Sequence, residues 1–131
     1  PTRRSSDLYI EIEQLANGYE IEKIVVDPSA ASFIACIRKH GKFSVRKARN
    51  DVIDGIRVTS EMIKSGAVKI NSSCEDILRE FGLYRWDEKS TVDKVVKEYD
   101  HAMDDMRYFC YTILRRELRW MGYREDQYDQ D

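Results

Sequence analysis

The stretch IEKIVVDP, residues 21–28, decides the fold of this chain. Residues 21–26 predict a short buried strand, because their β-branched run stands between Asn17-Gly18 before it and an Asp-Pro pair after it. Pro28 disfavours helical geometry at Asp27 and favours a helix that starts immediately beyond it. The stretch therefore predicts a strand, a turn and a helix in that order, with Asp27 at the carboxyl end of the strand.

The same alternation continues on both sides of this stretch. Residues 8–15 fit either a helix closed by Asn17-Gly18 or an alternating strand, and we prefer the helix. The further predicted elements are a helix ending at Gly41, a strand at 42–46, a helix from Asn50 to Gly66, a strand at 67–70 and a helix after Ser72. This order predicts an α/β fold with a largely parallel sheet flanked by helices.

The pattern changes after residue 84. Residues 94–97 fit a short edge strand or the arm of a hairpin. From Asp100 to Met121 apolar residues recur at helical spacing, which predicts one helix of about six turns. We expect a single domain over residues 1–131, with flexible ends at 1–7 and 122–131.

Composition excludes several classes of protein. The 131 residues are 42% hydrophobic and 35% charged with a net charge of −2, which indicates a globular protein and excludes a generally basic nucleic-acid-coating one. The three cysteines form no CxxC pair, which argues against a disulfide framework and a structural zinc site and indicates small core residues. The sequence contains no membrane-length apolar run, signal peptide, P-loop or GxGxxG, so we expect a cytoplasmic protein without membrane contact.

The hexapeptide DHAMDD, residues 100–105, concentrates metal-type ligands. His101 and Asp104 stand three residues apart, so a helix would project both from one face, where they could share a divalent ion. Asp27 is a third candidate ligand, because binding sites in α/β sheets form at the carboxyl ends of the strands. Together they would suit Mg²⁺ or Mn²⁺. The structural alternatives are that Asp100 caps its helix and that Asp27 starts a turn and caps the helix after it.

A basic segment lies between these acids. It could contact phosphates, or it could be an ordinary solvated face. Its members are Arg38, Lys39, Lys42, Arg46, Lys47 and Arg49.

Three ordered segments, VVDPSA (25–30), KARNDVIDGI (47–56) and DHAMDDMRY (100–108), together resemble the nuclease domain of phage large terminase subunits. The resemblance implies an RNase H-like fold and a two-metal endonuclease that cuts double-stranded DNA during genome packaging in the host cytoplasm. Mg²⁺ or Mn²⁺ would be the cofactor, and a terminase small subunit and a portal would be partners.

The resemblance also assigns residues. Asp27 matches the family's strand-end catalytic aspartate, and His101 and Asp104 match the DH-x-x-D positions that complete the metal site, with Asp100 a neighbour of undecided role. Asp105 stands where the family more often has a small residue.

The family places a further aspartate on an opening strand that has no counterpart before Leu8. We therefore expect the sheet to lack its first strands, the metal site to be incomplete, and this chain alone to have weak or no nuclease activity. Two alternatives stay open. One is a non-catalytic module that docks DNA or a protein, and the other is an RNase H-like nuclease of the resolvase or transposase type.

Overall fold

Helices alternate with two short strands in the computed structural model of this chain, which describes residues 4–120 and 122. The predicted α/β fold is confirmed, with a small parallel sheet. The elements in chain order are α1 (Ser5–Ala16), β1 (Ile24–Val26), α2 (Ala31–His40), β2 (Val45–Lys47), α3 (Val52–Lys64), α4 (Glu75–Leu83), α5 (His101–Tyr108), a π-helical segment (Phe109–Leu114) and α6 (Arg115–Trp120).

The chain forms two compact units, Pro1–Ala48 and Arg49–Asp131. The single domain over residues 1–131 stays a prediction. We expected flexible ends at 1–7 and 122–131. At the first end, residues 5–7 lie in α1 and Arg4 precedes it; at the second end, Gly122 lies in a turn. Residues 1–3 and 123–131 are outside the described residues. None of the described helices combines the length and the apolar character needed to cross a bilayer.

The first unit is built around the predicted strand, turn and helix. β1 and β2 pair in parallel, with Ile24 opposite Val45, and both strands are shorter than predicted. Residues 21–23 are exposed and stay outside the ladder. The helix preferred for residues 8–15 is confirmed as part of α1, which packs on α2. The buried core of this unit consists of Tyr9, Val26, Ile34 and Ile37.

The second unit packs α3 against the C-terminal helical stretch. Its buried core consists of Val58, Met62, Cys110 and Tyr111. The strand predicted at 67–70 is wrong, because the Val68 N–H donates to the Met62 carbonyl (3.1 Å) and folds the chain back over the end of α3. Cys110 is fully buried, as predicted for a small core residue.

Two local features depart from the predicted pattern in the second unit. The stretch expected as one α-helix from residue 100 is helical as far as Trp120, but Phe109–Leu114 has π-helical hydrogen bonding, and the expected end at Met121 lies outside the described residues. Residues 94–97 contribute a hairpin arm that is reduced to one antiparallel bridge, between Trp86 and Val95.

Candidate functional site

Asp27 lies at the carboxyl end of β1 and its carboxylate forms a tight turn. Its Oδ1 accepts a hydrogen bond from the Ser29 N–H (2.8 Å), and its carbonyl accepts one from Ala30 (3.0 Å). Ala30, not Asp27, is the N-cap residue of α2, and that helix end has no side-chain cap. The turn that we considered for Asp27 is therefore confirmed, whereas capping of α2 by its side chain is wrong.

The start of α5 is capped differently from the expectation. Asp100 is the N-cap residue and is only 7% exposed, but its side chain makes no capping hydrogen bond. Instead Oε2 of Glu80, on α4, accepts the Met103 N–H at 3.0 Å. A helix end leaves its first N–H groups without intrahelical acceptors, so a buried carboxylate there satisfies one of them and complements the helix dipole. Glu80 therefore caps this helix end, a role that we did not predict.

Asp104 is held by an arginine that the sequence analysis also missed. Nη2 of Arg107 lies 3.0 Å from Oδ1 of Asp104, and Arg107 is only 3% exposed. Its Nη1 donates to the carbonyls of Asn50 (3.1 Å) and Asp51 (3.4 Å), which precede α3. The Asp-x-x-Arg spacing puts the pair on one helix face and is the signal that could have indicated it. Arg107 therefore fixes Asp104 and ties α5 to the start of α3.

Gly55 makes room for this arginine. A Cβ atom at that position would lie 2.7 Å from Cγ and 2.8 Å from Cδ of Arg107. Real Cβ atoms do not approach other heavy atoms so closely, and the affected atoms belong to the aliphatic part of the arginine side chain and not to its far end. The glycine in the KARNDVIDGI segment is therefore explained by packing, because the Arg107 side chain lies against α3 at this position.

The acids at this helix end influence each other electrostatically. Burial raises the pKa of Asp105, the negative charge of Asp104 raises it further, and His101 opposes the rise. Burial also raises the pKa of Tyr84, against the lowering effect of Arg107. The carboxylates of Asp104 and Asp100 add to the rise at Tyr84. Burial is the main cause of both shifts, and the carboxylates at the start of α5 add to it, against the opposing effect of His101 on Asp105 and of Arg107 on Tyr84.

The donor chemistry suits a hard cation, but the ligands are divided between the units. Asp27 belongs to the first unit, and His101 and Asp104 belong to the second. Within neither unit do three or more His, Cys, Asp or Glu side chains of residues 4–120 and 122 form a metal-binding group. The convergence of Asp27 with the DH-x-x-D acids stays a prediction.

The predicted phosphate-contact residues are mostly exposed. Arg38 and Lys39 stand in the last turn of α2, where positive charge also complements the helix dipole. Arg46 and Lys47 belong to β2, and Lys42 lies with its Nζ 5.5 Å from the centroid of the Phe43 ring. Five of the six basic residues therefore share the first unit, and Arg49 opens the second.

A pocket of about 210 Å³ opens beside Arg107 in the second unit. Most of its lining is apolar, which does not suit the charged backbone of DNA. Its apolar and aromatic lining residues are Ile56, Ile63, Phe81, Tyr84, Met103 and Met106, and Thr59, Ser60 and Arg107 complete the lining.

Comparisons with known proteins point to one family. No family model matches the chain. It is 24% identical over 110 residues to the large terminase subunit of Escherichia phage T5, which covers 79% of this chain and 25% of that protein. Among solved structures it matches the large terminase of a thermophilic bacteriophage, both in complex with ADP and in complex with ATP-γ-S.

Both matches to the thermophilic phage protein have a TM-score of 0.81 and 39% sequence identity over 86% of this chain. They cover 29% and 30% of the chains in those two structures, so this chain spans less than a third of the relatives that it matches. The likeness lies in sequence and in fold, and it agrees with the resemblance carried by the three ordered segments. The chain is a homologue of a segment of phage large terminase subunits.

Proposed function

We propose that this chain supplies metal-binding and DNA-contacting residues to an endonuclease that cuts double-stranded DNA during phage genome packaging. The observation that carries the proposal is the acidic end of α5, where Asp104 and His101 stand on a helix turn fixed from two sides by Glu80 and Arg107. A ligand set must be held rigidly to select and orient a cation, and a buried guanidinium provides that support for Asp104.

Mg²⁺ or Mn²⁺ is the proposed cofactor, in a two-metal site with ligands from Asp27, His101 and Asp104. Metal ions there would activate a water molecule and stabilise the leaving oxygen of a phosphodiester. Asp100 is the least suitable ligand of the DH-x-x-D segment, because it is buried whereas His101 is exposed. The 131-residue chain alone is expected to show weak or no cleavage.

The chain's own residues have separable tasks in this proposal. Arg107 positions Asp104, and the turn at Asp27 holds one oxygen of that carboxylate through the Ser29 N–H. The exposed cations of α2 and β2 would contact backbone phosphates, a contribution to affinity that does not depend on base sequence. A terminase small subunit and a portal as partners, and the cytoplasm of an infected host as location, are part of the same proposal.

Metal binding gives the most direct test on the chain as it stands. The free Mn²⁺ signal in electron paramagnetic resonance measures binding, and we expect the Asp104→Asn and His101→Ala substitutions to weaken it by roughly tenfold or more. Asp76→Asn is the matched control, since Asp76 is an exposed acid on α4 that pairs with Arg79. Equal Mn²⁺ affinity in all three variants and the unchanged chain would contradict the metal assignment.

Cleavage is tested in the longest polypeptide that contains this chain, with supercoiled plasmid and Mn²⁺. We expect Asp27→Ala to abolish nicking and linearisation, whereas Glu22→Ala, at an exposed acid of the same unit, leaves them unchanged. Cleavage that survives Asp27→Ala would defeat the endonuclease assignment.

A DNA-docking module without catalysis is the second candidate function. It is favoured by the Asp104–Arg107 ion pair and the turn at Asp27, which give two of the three proposed ligands structural roles. This candidate predicts DNA binding that falls with salt and is indifferent to Mn²⁺ and to EDTA.

A further inference from the structure

The apolar pocket of the second unit is large enough for a small ring compound. Residues of three helices line it, four from α3, two from α4 and the position just after it, and three from α5. Its volume of about 210 Å³ exceeds the volume of about 150 Å³ at which an apolar cavity in another protein holds benzene. The pocket therefore has room for one six-membered ring with a small substituent.

Hydrogen bonds hold the α5 side of the pocket in place. The Met103 N–H donates to Oε2 of Glu80 at 3.0 Å, which ties α5 to α4. Arg107 binds the carboxylate of Asp104 and the carbonyl of Asn50, which ties α5 to the start of α3. These are the three elements that line the pocket, so its walls are linked to each other without any ligand. A pocket that is formed in advance loses little conformational entropy when a ligand binds.

The lining favours an aromatic ring over an aliphatic one. Met103 and Met106 bring two thioether side chains to the pocket, and sulfur makes favourable contacts with aromatic rings. Phe81 and Tyr84 bring two rings, which can pair with a third ring in an offset or edge-to-face arrangement. An aliphatic ligand of the same size would bury a similar apolar area without these contacts.

The same lining disfavours a charged ligand. Of the nine lining residues Arg107 alone carries a charge, and it is only 3% exposed and already paired with Asp104. A carboxylate or an ammonium in the pocket would lose its hydration without gaining an unpaired counter-charge. The Ser60 hydroxyl, in contrast, forms no hydrogen bond with the described residues, so it can bind a neutral polar group of a ligand.

We propose that this pocket is a binding site for a neutral aromatic compound of one ring that carries a small polar group. The ring packs against Met103, Met106 and Phe81, and Ser60 binds the polar group. The site goes beyond the proposed function, because its lining contains none of the proposed metal ligands or phosphate contacts.

Benzyl alcohol is the probe, titrated into the full chain with ¹³C-labelled methionine methyl groups and followed by NMR. We expect saturable shifts of the Met103 and Met106 methyl signals with a Kd of about 1 mM or lower. The Met62 methyl is the internal reference, because Met62 is fully buried and is not a lining residue, and its signal should shift least. Absence of a saturable shift at both pocket methionines would overturn the proposal.

Ser60→Leu tests the location, because the larger side chain fills part of the pocket. It should weaken binding of benzyl alcohol by roughly tenfold or more. Asp54→Leu is the matched control, since Asp54 is an exposed residue of α3 outside the lining, and residues two apart, such as Asp54 and Ile56, do not share a helix face. Thermal unfolding verifies that both variants are folded. Equal affinity in the two variants would refute this pocket as the site.

Two analogues of the probe test the ligand class on the unchanged chain. Cyclohexylmethanol has a similar outline without an aromatic ring, and we expect it to bind about three- to tenfold more weakly. Benzoate has the ring and a negative charge, and we expect no saturable shift with it. Equal affinity for cyclohexylmethanol would overturn the aromatic class, and equal affinity for benzoate would overturn the neutral one.

Discussion

Arg107 and Arg49 both place a guanidinium over a tyrosine ring, at 5.0 Å from Tyr108 and 4.9 Å from Tyr111, yet their surroundings differ in every other respect. Arg107 is buried and its two terminal nitrogens bind a carboxylate and two carbonyls, whereas Arg49 is exposed and anchored through its backbone. The first arginine holds the protein together, and the second presents its charge to solvent. The same side chain thus has a structural use in one region and a proposed binding use in the other.

This difference shows why a count of basic residues predicts phosphate contact poorly. A buried charge must be paired, and removing one partner leaves the other uncompensated. An exposed charge contributes little to stability and is free to act on a ligand. Stability and DNA affinity should therefore respond in opposite ways to substitution at the two arginines.

The largest expected effect is on folding at Arg107. Arg107→Met should lower the free energy of unfolding by about 3 kcal/mol, because it leaves Asp104 and the carbonyls before α3 without their donor. Urea denaturation followed by circular dichroism measures the change. Arg49→Met, the matched substitution at the exposed arginine, should change it by less than about 0.5 kcal/mol. Equal losses of unfolding free energy in Arg107→Met and Arg49→Met would contradict the different roles of the two arginines.

Gly55 provides a second way to disturb the buried arginine without changing any charge. Gly55→Ala should lower the free energy of unfolding by about 1–3 kcal/mol, since the new Cβ would lie 2.7 Å from Cγ of Arg107. Gly82→Ala on α4 is the control, because no atom lies within 4 Å of the added Cβ. That control should stabilise the chain by roughly 0.5–1 kcal/mol, as alanine is the better helix former. If Gly55→Ala left the free energy of unfolding unchanged, the Arg107 side chain would be able to move away from the new Cβ atom at little cost.

Glu80 tests whether the acidic end of α5 depends on its cap. Glu80→Ala should cost about 1 kcal/mol in urea denaturation, because the Met103 N–H loses its acceptor. Glu80→Gln retains an acceptor oxygen and should cost less. Hydrogen exchange at the Met103 amide should accelerate in the alanine variant alone. Unchanged exchange at that amide would show that Glu80 does not cap α5.

The last effect is confined to alkaline pH and concerns Tyr9, whose ring stacks on that of His40 at 3.7 Å between centroids. Burial, and then the neighbouring Glu13, raise the pKa of Tyr9 from 10.0 to about 12. The folded state therefore keeps this proton after the unfolded state has lost it, and stability falls as pH rises from 10.0 to about 12.

In Tyr9→Phe this part of the alkaline loss should be absent. Denaturant midpoints of both proteins near neutral pH and across the interval from 10.0 to about 12 measure the difference. A parallel decline in the two proteins would show that Tyr9 does not contribute to it.

Local sequence predicted local structure well. The β-branched run before Asp27 and the proline after it contain the whole signal for β1, the turn and α2, because every determinant lies within a few residues. The strand predicted at 67–70 failed for the complementary reason. A short apolar run becomes a strand only beside a partner, and Val68 instead packs against the core of the second unit.

The supports of the candidate site could not be predicted in the same way. Glu80 is 23 residues away from Met103, and Arg107 is 57 residues away from Asn50, so neither hydrogen bond has a local pattern. The sequence indicated His101 and Asp104 as candidate ligands from their spacing, but it could not show which carboxylate was already engaged by a buried cation. Such pairings depend on tertiary packing, which a single sequence does not display.

The π-helical segment has a consequence for how this helix tolerates insertions and deletions. Its hydrogen bonds reach one residue further than those of an α-helix, so the six residues from Phe109 to Leu114 amount to an extra residue accommodated in the helix. Deleting one residue there would restore α-helical register and rotate Arg115 and α6 by about 100° relative to α5. The Tyr111 ring, whose centroid lies 4.9 Å from the guanidinium carbon of Arg49 and 5.0 Å from that of Arg115, would then lose one of these contacts. The buried ion pair of α5, upstream of the change, would keep its place.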